Sequence, residues 1–270
     1  MQSGLEGQVV LITGASGGIG AETARTFAGE GARLVLHYNS NRAGIEALAS
    51  ELDVETVIVR ADVSDEGSVD AMYEAALARF SQLDALVVNA GIWIAEEAPV
   101  HAMTLEQWRR TLDADLTGAF LSSRGFLRHL ADVSRPRPSD DASIVFVAST
   151  AALFGEENHA DYSAAKAAMA YGMTRSLKNE IVRLVPRGRV NCVCPGWVNT
   201  PMASASMEDP TAIPRVTATM ALRKIAQPQD VASAIVFLSS PLLAGHLSGT
   251  ILPIAGGMEG RWLHQPQNPS

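Results

Sequence analysis

Tyr162 and Lys166 place a phenol and an ammonium group four residues apart, in a stretch whose sequence predicts a helix. At this spacing two side chains share one face of a helix. Because a neighbouring ammonium favours the phenolate, we expect Lys166 to lower the pKa of Tyr162 from its ordinary value of about 10. The hydroxyl could then donate or accept a proton near neutral pH. The same spacing is common on helix surfaces, so its meaning depends on the neighbouring elements.

Ser149 ends a predicted strand, residues 143–149, that is rich in β-branched and aromatic residues. In α/β sheets, ligands bind outside the carboxyl ends of the strands. A serine there and a tyrosine on the following helix can therefore face one crevice. Taken alone, Ser149 would be read as a turn or capping hydroxyl.

A glycine-rich turn follows the first predicted strand, residues 8–13, and precedes a predicted helix over residues 21–30. Glycines let the backbone approach a pyrophosphate, whose charge then faces the amide groups and the positive end of the helix. The order strand, turn, helix predicts a dinucleotide site. Its candidate contacts are Gly14, Ser16, Gly17, Gly18, Ile19 and Gly20.

The second predicted strand, residues 32–38, ends where the adenosine ribose of a dinucleotide would lie. An acidic residue there would bind the 2′-hydroxyl of NAD and repel a 2′-phosphate, but the sequence has Asn39, Ser40 and Arg42. Neutral hydrogen-bonding groups with one arginine favour a phosphate, so we predict NADP, with NAD as the alternative. The same residues could instead form a polar turn that caps the next helix.

The remaining pattern predicts an α/β fold. Strands are expected at residues 55–60, 84–88, 189–194 and 249–254, and helices at residues 65–80, 104–130, 160–184 and 228–239. Together with the strands above, they predict a single domain over residues 1–270. Its core would be one doubly wound, parallel, seven-stranded sheet of Rossmann type with helices on both faces. Residues 196–224 are predicted to be a substrate lid, residues 135–141 an exposed proline-rich loop, and residues 260–270 a loose tail.

The composition and charge of the chain limit the classes of partner that we expect for it. The chain has 270 residues, 47% of them hydrophobic, and a formal net charge of −8 without a cluster of basic residues, which disfavours a nucleic-acid partner. We find no apolar run of about 20 residues and no signal peptide, so we expect a cytoplasmic protein that acts on a small molecule without membrane contact.

We expect no metal site. The six histidines show no ligand-like spacing. Cys192 and Cys194 fall in one predicted strand, and we expect both to be packing cysteines whose side chains point to opposite faces.

These motifs together resemble the short-chain dehydrogenase/reductase family over nearly the whole chain. Thr13-Gly14-x-x-x-Gly18-x-Gly20 is similar to the cofactor turn of that family, and Ser149, Tyr162 and Lys166 are similar to its catalytic residues. The remaining matches are Asp62 and Val63 at the adenine, Asn89, Ala90 and Gly91 at the central sheet, and Pro195, Gly196, Val198 and Thr200 in the loop beside the nicotinamide.

The resemblance implies an NADPH-dependent reductase of a ketone or a 3-oxoacyl substrate, or an enzyme for the reverse alcohol oxidation. In it, Ser149 would bind the carbonyl oxygen, Tyr162 would protonate that oxygen, and Lys166 would hold the nicotinamide ribose. It also implies a homodimer or homotetramer formed through the helices that carry Asp115 and Tyr162. The acidic composition favours a free small molecule over an acidic carrier protein.

The sequence departs from the family pattern at several positions, and these departures suggest alternative functions. Asp115 stands where the family usually has an asparagine that places a water in a proton relay, so its charge should oppose a lowered pKa of Tyr162. Gly17 stands where many NADPH enzymes of the family have a basic residue, and Ala152 and Ala255 are further departures. The alternatives are an NAD-dependent alcohol dehydrogenase and a catalytically impaired NAD(P)-binding sensor or scaffold.

Overall fold

A computed structural model describes residues 2–134 and 139–262 of the chain. Residues 135–138 of the predicted proline-rich loop and residues 263–270 of the predicted tail lie outside the described residues. No helix in the described part of the chain is both long enough and apolar enough to cross a membrane.

The described residues form seven strands, β1 to β7 in chain order. They are Val9–Ile12, Arg33–Tyr38, Thr56–Arg60, Ala85–Val88, Asp141–Val147, Arg187–Pro195 and Ile251–Ile254. The helices α1 to α11 are Gly18–Gly29, Arg42–Glu51, Glu66–Phe80, Leu105–Leu112, Gly118–Ala131, Ala151–Phe154, Ala160–Ala167, Thr174–Ile181, Ser204–Met207, Ala212–Thr217 and Pro228–Ser239.

All seven strands pair in parallel in one sheet, in the order β3-β2-β1-β4-β5-β6-β7. The predicted doubly wound parallel sheet is therefore confirmed. The direction of strand addition reverses between β1 and β4, which pair through Ile12 and Val87 near their carboxyl ends. In sheets of this kind, the crevice at such a reversal is the place where ligands bind.

Helices cover both faces of the sheet, and β1 shows why its sequence is apolar throughout. Val9 and Leu11 belong to the hydrophobic layer that includes side chains of α3 and α5, whereas Val10 and Ile12 belong to the layer with α1, α2 and α11. Alternate side chains thus enter opposite layers, and all four are buried. Because the central strands are buried between the two layers, they fix the positions of the loops that follow them.

Two long helical stretches each contain a wider, π-helical turn. Residues 113–117 join α4 to α5, and residues 168–173 join α7 to α8. The sequence predicted uninterrupted helices over residues 104–130 and 160–184, and the second of them ends earlier, at Ile181. Thr104 caps α4 as expected, because its hydroxyl accepts a hydrogen bond from the N–H of Gln107 at 3.1 Å. π-Helical turns are frequent at functional sites, and Asp115 lies in the first of these.

Cys192 and Cys194 are buried free thiols in β6. The expectation that their side chains point to opposite faces is wrong, because side chains two residues apart on a strand share a face. Both enter the layer with α3 and α5, and Val193 between them enters the other layer.

Candidate active site

A cavity of about 570 Å³ lies at the carboxyl ends of β1, β4, β5 and β6. Its volume falls within the ~300–1,000 Å³ typical of small-molecule sites. Every predicted cofactor and catalytic segment contributes to its wall. The predicted residues that line it are Gly14, Ser16, Gly17, Gly18, Ile19, Asn39, Ser40, Asp62, Val63, Asn89, Ala90, Gly91, Ser149, Tyr162, Lys166, Pro195, Gly196, Val198 and Thr200.

Three predicted residues do not line the cavity. Gly20 lies beneath the turn after β1, where a Cβ atom would overlap the carbonyl oxygen of Gly14. Arg42 lies in the first turn of α2, with its Nε 2.7 Å from a carboxylate oxygen of Glu46. Asp115 is fully buried behind Lys166.

Asn89 ties the turn after β1 to the turn after β4. Its Nδ2 donates to the carbonyl oxygens of Thr13 and Gly14, both at 3.0 Å. In return, the hydroxyl oxygen of Thr13 accepts the N–H groups of Asn89 and Ala90 at 2.9 and 3.0 Å. Helix α1 begins at Gly18, so its unpaired N–H groups lie at this turn.

The turn fits the pyrophosphate of a dinucleotide. A Cβ atom on Gly17 would meet no other atom within 4 Å, so the space beside the helix terminus is open. N–H groups and the positive end of a helix stabilise an anion in such a space.

His37, at the end of β2, also lines the cavity, and sequence reasoning missed it. Its Nδ1 accepts a hydrogen bond from the N–H of Gly14 at 3.0 Å, and its Nε2 lies 3.1 Å from the carbonyl oxygen of Ala61. A neutral ring with its proton on Nε2 satisfies both contacts. Burial lowers the pKa of His37, which favours this neutral form. The only signal in the sequence was one polar side chain within an apolar strand.

The end of the cavity formed by the turn after β2, where the sequence predicts the adenosine, carries neutral polar groups. Asn39 and Ser40 line it as expected, together with Asn41, whose side chain donates to the carbonyl oxygen of Ser16 at 3.0 Å. Arg60, at the end of β3, was not anticipated, and its Nε donates to the carbonyl oxygen of Asn39 at 3.1 Å. The guanidinium of Arg60 therefore lies next to this neutral edge. A second arginine, Arg42, follows Asn39 and Ser40 closely in the sequence.

Ser149, Tyr162 and Lys166 line the opposite part of the cavity. Nζ of Lys166 lies 5.4 Å from the ring centre of Tyr162. Trp93 packs edge-on against the Tyr162 ring at 4.9 Å and stacks on His159 at 4.0 Å. The Trp93 ring therefore covers one side of the phenol and limits its contact with water.

Two contacts fix helix α7, which carries Tyr162 and Lys166. Asp161 is buried in its first turn and accepts a hydrogen bond from the hydroxyl of Thr111 on α4 at 2.7 Å. The next contact is made by Ser163, whose hydroxyl oxygen accepts the N–H of Glu156 at 2.9 Å. The tyrosine between these two residues is thereby held in a fixed orientation.

The pKa of Tyr162 is raised, so the expectation that it would be lowered is wrong. Burial is the main cause, because it disfavours the charged phenolate. The charge of Lys166 and a hydrogen bond from Ser149 lower this pKa, whereas the charges of Asp115 and Glu156 raise it. The direction expected for Asp115 is therefore confirmed.

Asp115 and Lys166 form a buried ion pair. Oδ2 of Asp115 lies 3.1 Å from Nζ of Lys166, and Oδ1 accepts a hydrogen bond from the N–H of Ile92 at 2.7 Å. A Cβ atom on Gly91 would lie 3.1 Å from both Oδ1 and Nζ, so only glycine leaves the pair this room. Burial by itself lowers the pKa of Lys166, but the charges of Asp115 and Tyr162 outweigh that effect and raise it.

The segment after β6 closes the side of the cavity next to Ser149. Trp197 and Met202 line the cavity here, although neither was among the predicted site residues. The segment continues through a short 3₁₀ turn at Pro201–Ala203 into α9 and α10.

In the described ranges, 2–134 and 139–262, no three His, Cys, Asp or Glu side chains are placed to hold a metal ion.

Comparisons with known proteins agree with this architecture. A family model described as enoyl-(acyl carrier protein) reductase matches residues 14–259. Cis-4-hydroxycyclohexanecarboxylate dehydrogenase of Sinomonas cyclohexanicum is 39% identical, over 93% of this chain and 96% of that protein. The 3-oxoacyl-[acyl-carrier-protein] reductase of a Synechocystis species is 33% identical, over 94% of this chain and 98% of that protein.

A solved structure is also similar. It is a short-chain dehydrogenase/reductase of Brucella melitensis, described as a glucose/ribitol dehydrogenase, with a TM-score of 0.84 and 34% identity. The match covers 95% of this chain and 98% of that one.

Proposed function

Because this chain belongs to the short-chain dehydrogenase/reductase family and is an oxidoreductase of hydroxy or keto substrates, we propose that it transfers hydride between NADP(H) and a small ketone or secondary alcohol. The observation that carries the proposal is that Ser149, Tyr162 and Lys166 line one cavity with the glycine turn. An acid, a hydrogen-bond donor and a dinucleotide site are thus within reach of one bound carbonyl.

The nicotinamide, when bound, supplies or accepts the hydride. During reduction, the hydroxyl of Ser149 donates a hydrogen bond to the carbonyl oxygen, and Tyr162 passes its proton to that oxygen as negative charge develops. The ammonium of Lys166 stabilises the phenolate that remains. The raised pKa of Tyr162 means that its hydroxyl is protonated at neutral pH, which is the form that can donate a proton, and the charge of Lys166 partly offsets the rise.

The cofactor would be held by the N–H groups at the start of α1 and by the turns after β3 and β4. Support for NADP comes from the neutral edge formed by Asn39 and Ser40, with Arg60 in contact and Arg42 nearby. Arginine recognises phosphate through a planar fork of donors. The ion pair between Arg42 and Glu46 would have to open for Arg42 to take part.

We propose a free ketone or alcohol as the substrate because the cavity wall beside the catalytic residues carries large apolar side chains. Trp93, Trp197 and Met202 supply that wall, and residues 196–224 would act as its lid. The Sinomonas relative is named for a hydroxylated ring compound, which supports a cyclic substrate of similar size. The second candidate is a 3-oxoacyl substrate, which is favoured by the name of the Synechocystis relative.

We also propose a homodimer or homotetramer that buries the outer faces of the helices carrying Asp115 and Tyr162. Phe120 and Tyr171 on these stretches are 48% and 41% exposed, and each lies under an arginine side chain. Sedimentation at micromolar concentration tests this, and a monomer would contradict it.

The activity is tested by following NADPH absorbance with a panel of cyclic and linear ketones. We expect turnover with at least one cyclic ketone. Tight cofactor binding with no turnover of any ketone or alcohol would instead support a cofactor-binding sensor or scaffold.

A further inference from the structure

Glu156 lines the same cavity as Tyr162 and is hydrogen-bonded through its main chain to Ser163, the residue after Tyr162. Its main chain is fixed at both ends, because its N–H donates to Ser163 and its carbonyl oxygen accepts the N–H of His159 at 3.2 Å. The carboxylate itself makes no hydrogen bond or ion pair with any residue in the two described ranges. The main chain of Glu156 is therefore fixed at the wall of the cavity, and its carboxylate oxygens are available to a ligand.

The surroundings of this carboxylate are mainly acidic. Glu156 is an exposed residue, yet partial desolvation of its carboxylate raises its pKa. The charge of Arg215 on α10 lowers this pKa, and the charges of Glu97 and Glu157 raise it. Glu97 is held nearby by a hydrogen bond from Asn158 at 3.1 Å. The charge of Glu156 also reaches the reacting hydroxyl, since it is one of the groups that oppose the phenolate of Tyr162.

We propose that Glu156 sets the charge preference of this active site. It selects ketones and alcohols that are neutral or cationic beyond the reacting carbon and carry a hydroxyl or amine donor, and it rejects carboxylates. This proposal rests on the proposed function and specifies its substrate class. Under this proposal, the substrate of this chain differs in charge from that of the Sinomonas relative, because the substrate named for that relative is a carboxylate.

The physical reason is the cost of bringing a second negative charge close to Glu156 in one cavity. At separations of a few ångströms, like charges repel by several times the thermal energy even at an effective dielectric constant of about 20. A ligand hydroxyl or ammonium would instead donate a charge-assisted hydrogen bond to the free carboxylate oxygens of Glu156. Arg215 is the cation that acts on Glu156 and would favour an anion. Both side chains are exposed, but Glu156 lines the cavity and Arg215 does not.

A pair of substrates that differ only in charge tests the proposal. NADPH oxidation is followed with 4-oxocyclohexanecarboxylate and with its neutral methyl ester, using wild type, Glu156→Gln and the matched control Glu157→Gln. In wild type, we expect kcat/KM for the ester to exceed that for the carboxylate by about tenfold or more. Glu156→Gln should reduce this ratio to about twofold or less, mainly by lowering KM for the carboxylate, whereas Glu157→Gln should leave it nearly unchanged.

A wild type that prefers the carboxylate, or an equal preference in wild type and Glu156→Gln, would overturn the proposal. If neither compound is reduced, the ketone panel decides the proposed function, and the binding of both compounds to the cofactor-loaded protein decides the present proposal. Trp93 and Trp197 line the cavity, so their fluorescence reports that binding. Tighter binding of the ester that is lost in Glu156→Gln would support the role of Glu156, and no difference between the compounds would contradict it.

Discussion

Oδ2 of Asp115 lies 3.1 Å from Nζ of Lys166, and both side chains are buried. The ammonium that would stabilise the phenolate of Tyr162 is therefore shared with a second anion. Asp115 raises the pKa of Lys166 and that of Tyr162 at the same time. The ion pair thus favours a charged lysine beside a protonated tyrosine, which is the state that reduction requires.

Replacing Asp115 with asparagine should move the pH dependence of both reaction directions to lower pH. Without the negative charge, the pKa of Tyr162 falls, because one of the groups that raise it has been removed. Reduction needs the protonated hydroxyl, so kcat/KM for a ketone would begin to decline at a lower pH than in wild type. Oxidation needs the phenolate, so its acid limb would rise at a lower pH. Profiles of kcat/KM measured in both directions test this.

Asp113→Asn is the matched control for this prediction, because Asp113 belongs to the same π-helical turn but is exposed. Its pH profiles should match those of wild type. Superimposable profiles for wild type and Asp115→Asn would show that the buried pair does not tune the tyrosine.

The preference between NADPH and NADH should depend on Arg42 and its partner Glu46. Arg42→Ala removes a cation near the adenosine end, so we expect the ratio of kcat/KM values for NADPH and NADH to fall by roughly tenfold, as for a lost hydrogen bond to a charged group. Glu46→Gln should keep or increase this ratio, because it releases Arg42 from its ion pair. If Arg42→Ala leaves the ratio unchanged and Arg60→Ala lowers it, Arg60 is the phosphate-binding residue.

Replacing Gly20 with alanine should destabilise the protein, whereas replacing Gly17 with alanine should not. A Cβ on Gly20 would overlap the carbonyl oxygen of Gly14 and lie 2.7 Å from Nδ2 of Asn89, so Gly20→Ala should lower the free energy of unfolding by about 1–3 kcal/mol. Gly17 is extended with open space around its Cβ position, so Gly17→Ala should change that free energy by less than about 0.5 kcal/mol. Urea unfolding of both variants tests the difference, and equal losses would contradict the close packing beneath the turn.

The sheet could be predicted from the sequence because buried parallel strands are continuous apolar runs, each followed by a turn and a helix. Val9–Ile12 and the glycines after it show this pattern directly. The cavity could also be predicted, because the residues that follow parallel strands meet at one edge of the sheet.

The features that were not predicted depend on contacts between distant parts of the chain. The pKa of Tyr162 is raised by burial, to which Trp93 contributes from the turn after β4, so the local Tyr-Lys spacing gave the wrong direction. His37 is a functional candidate only because Gly14 and Ala61 approach its two nitrogens. The π-helical turn at Asp115 has no compositional signature, since it differs from an α-helix only in hydrogen-bond register.

The most direct test of the proposed chemistry compares wild type with Tyr162→Phe in the reduction of a ketone by NADPH. The account predicts that kcat falls by about 10²- to 10⁴-fold, as expected when a general acid is lost. The Kd for NADPH should stay within about twofold of the wild-type value, because the glycine turn and the cofactor contacts are unchanged. Turnover by Tyr162→Phe close to that of wild type would contradict the assignment of the tyrosine as the proton donor.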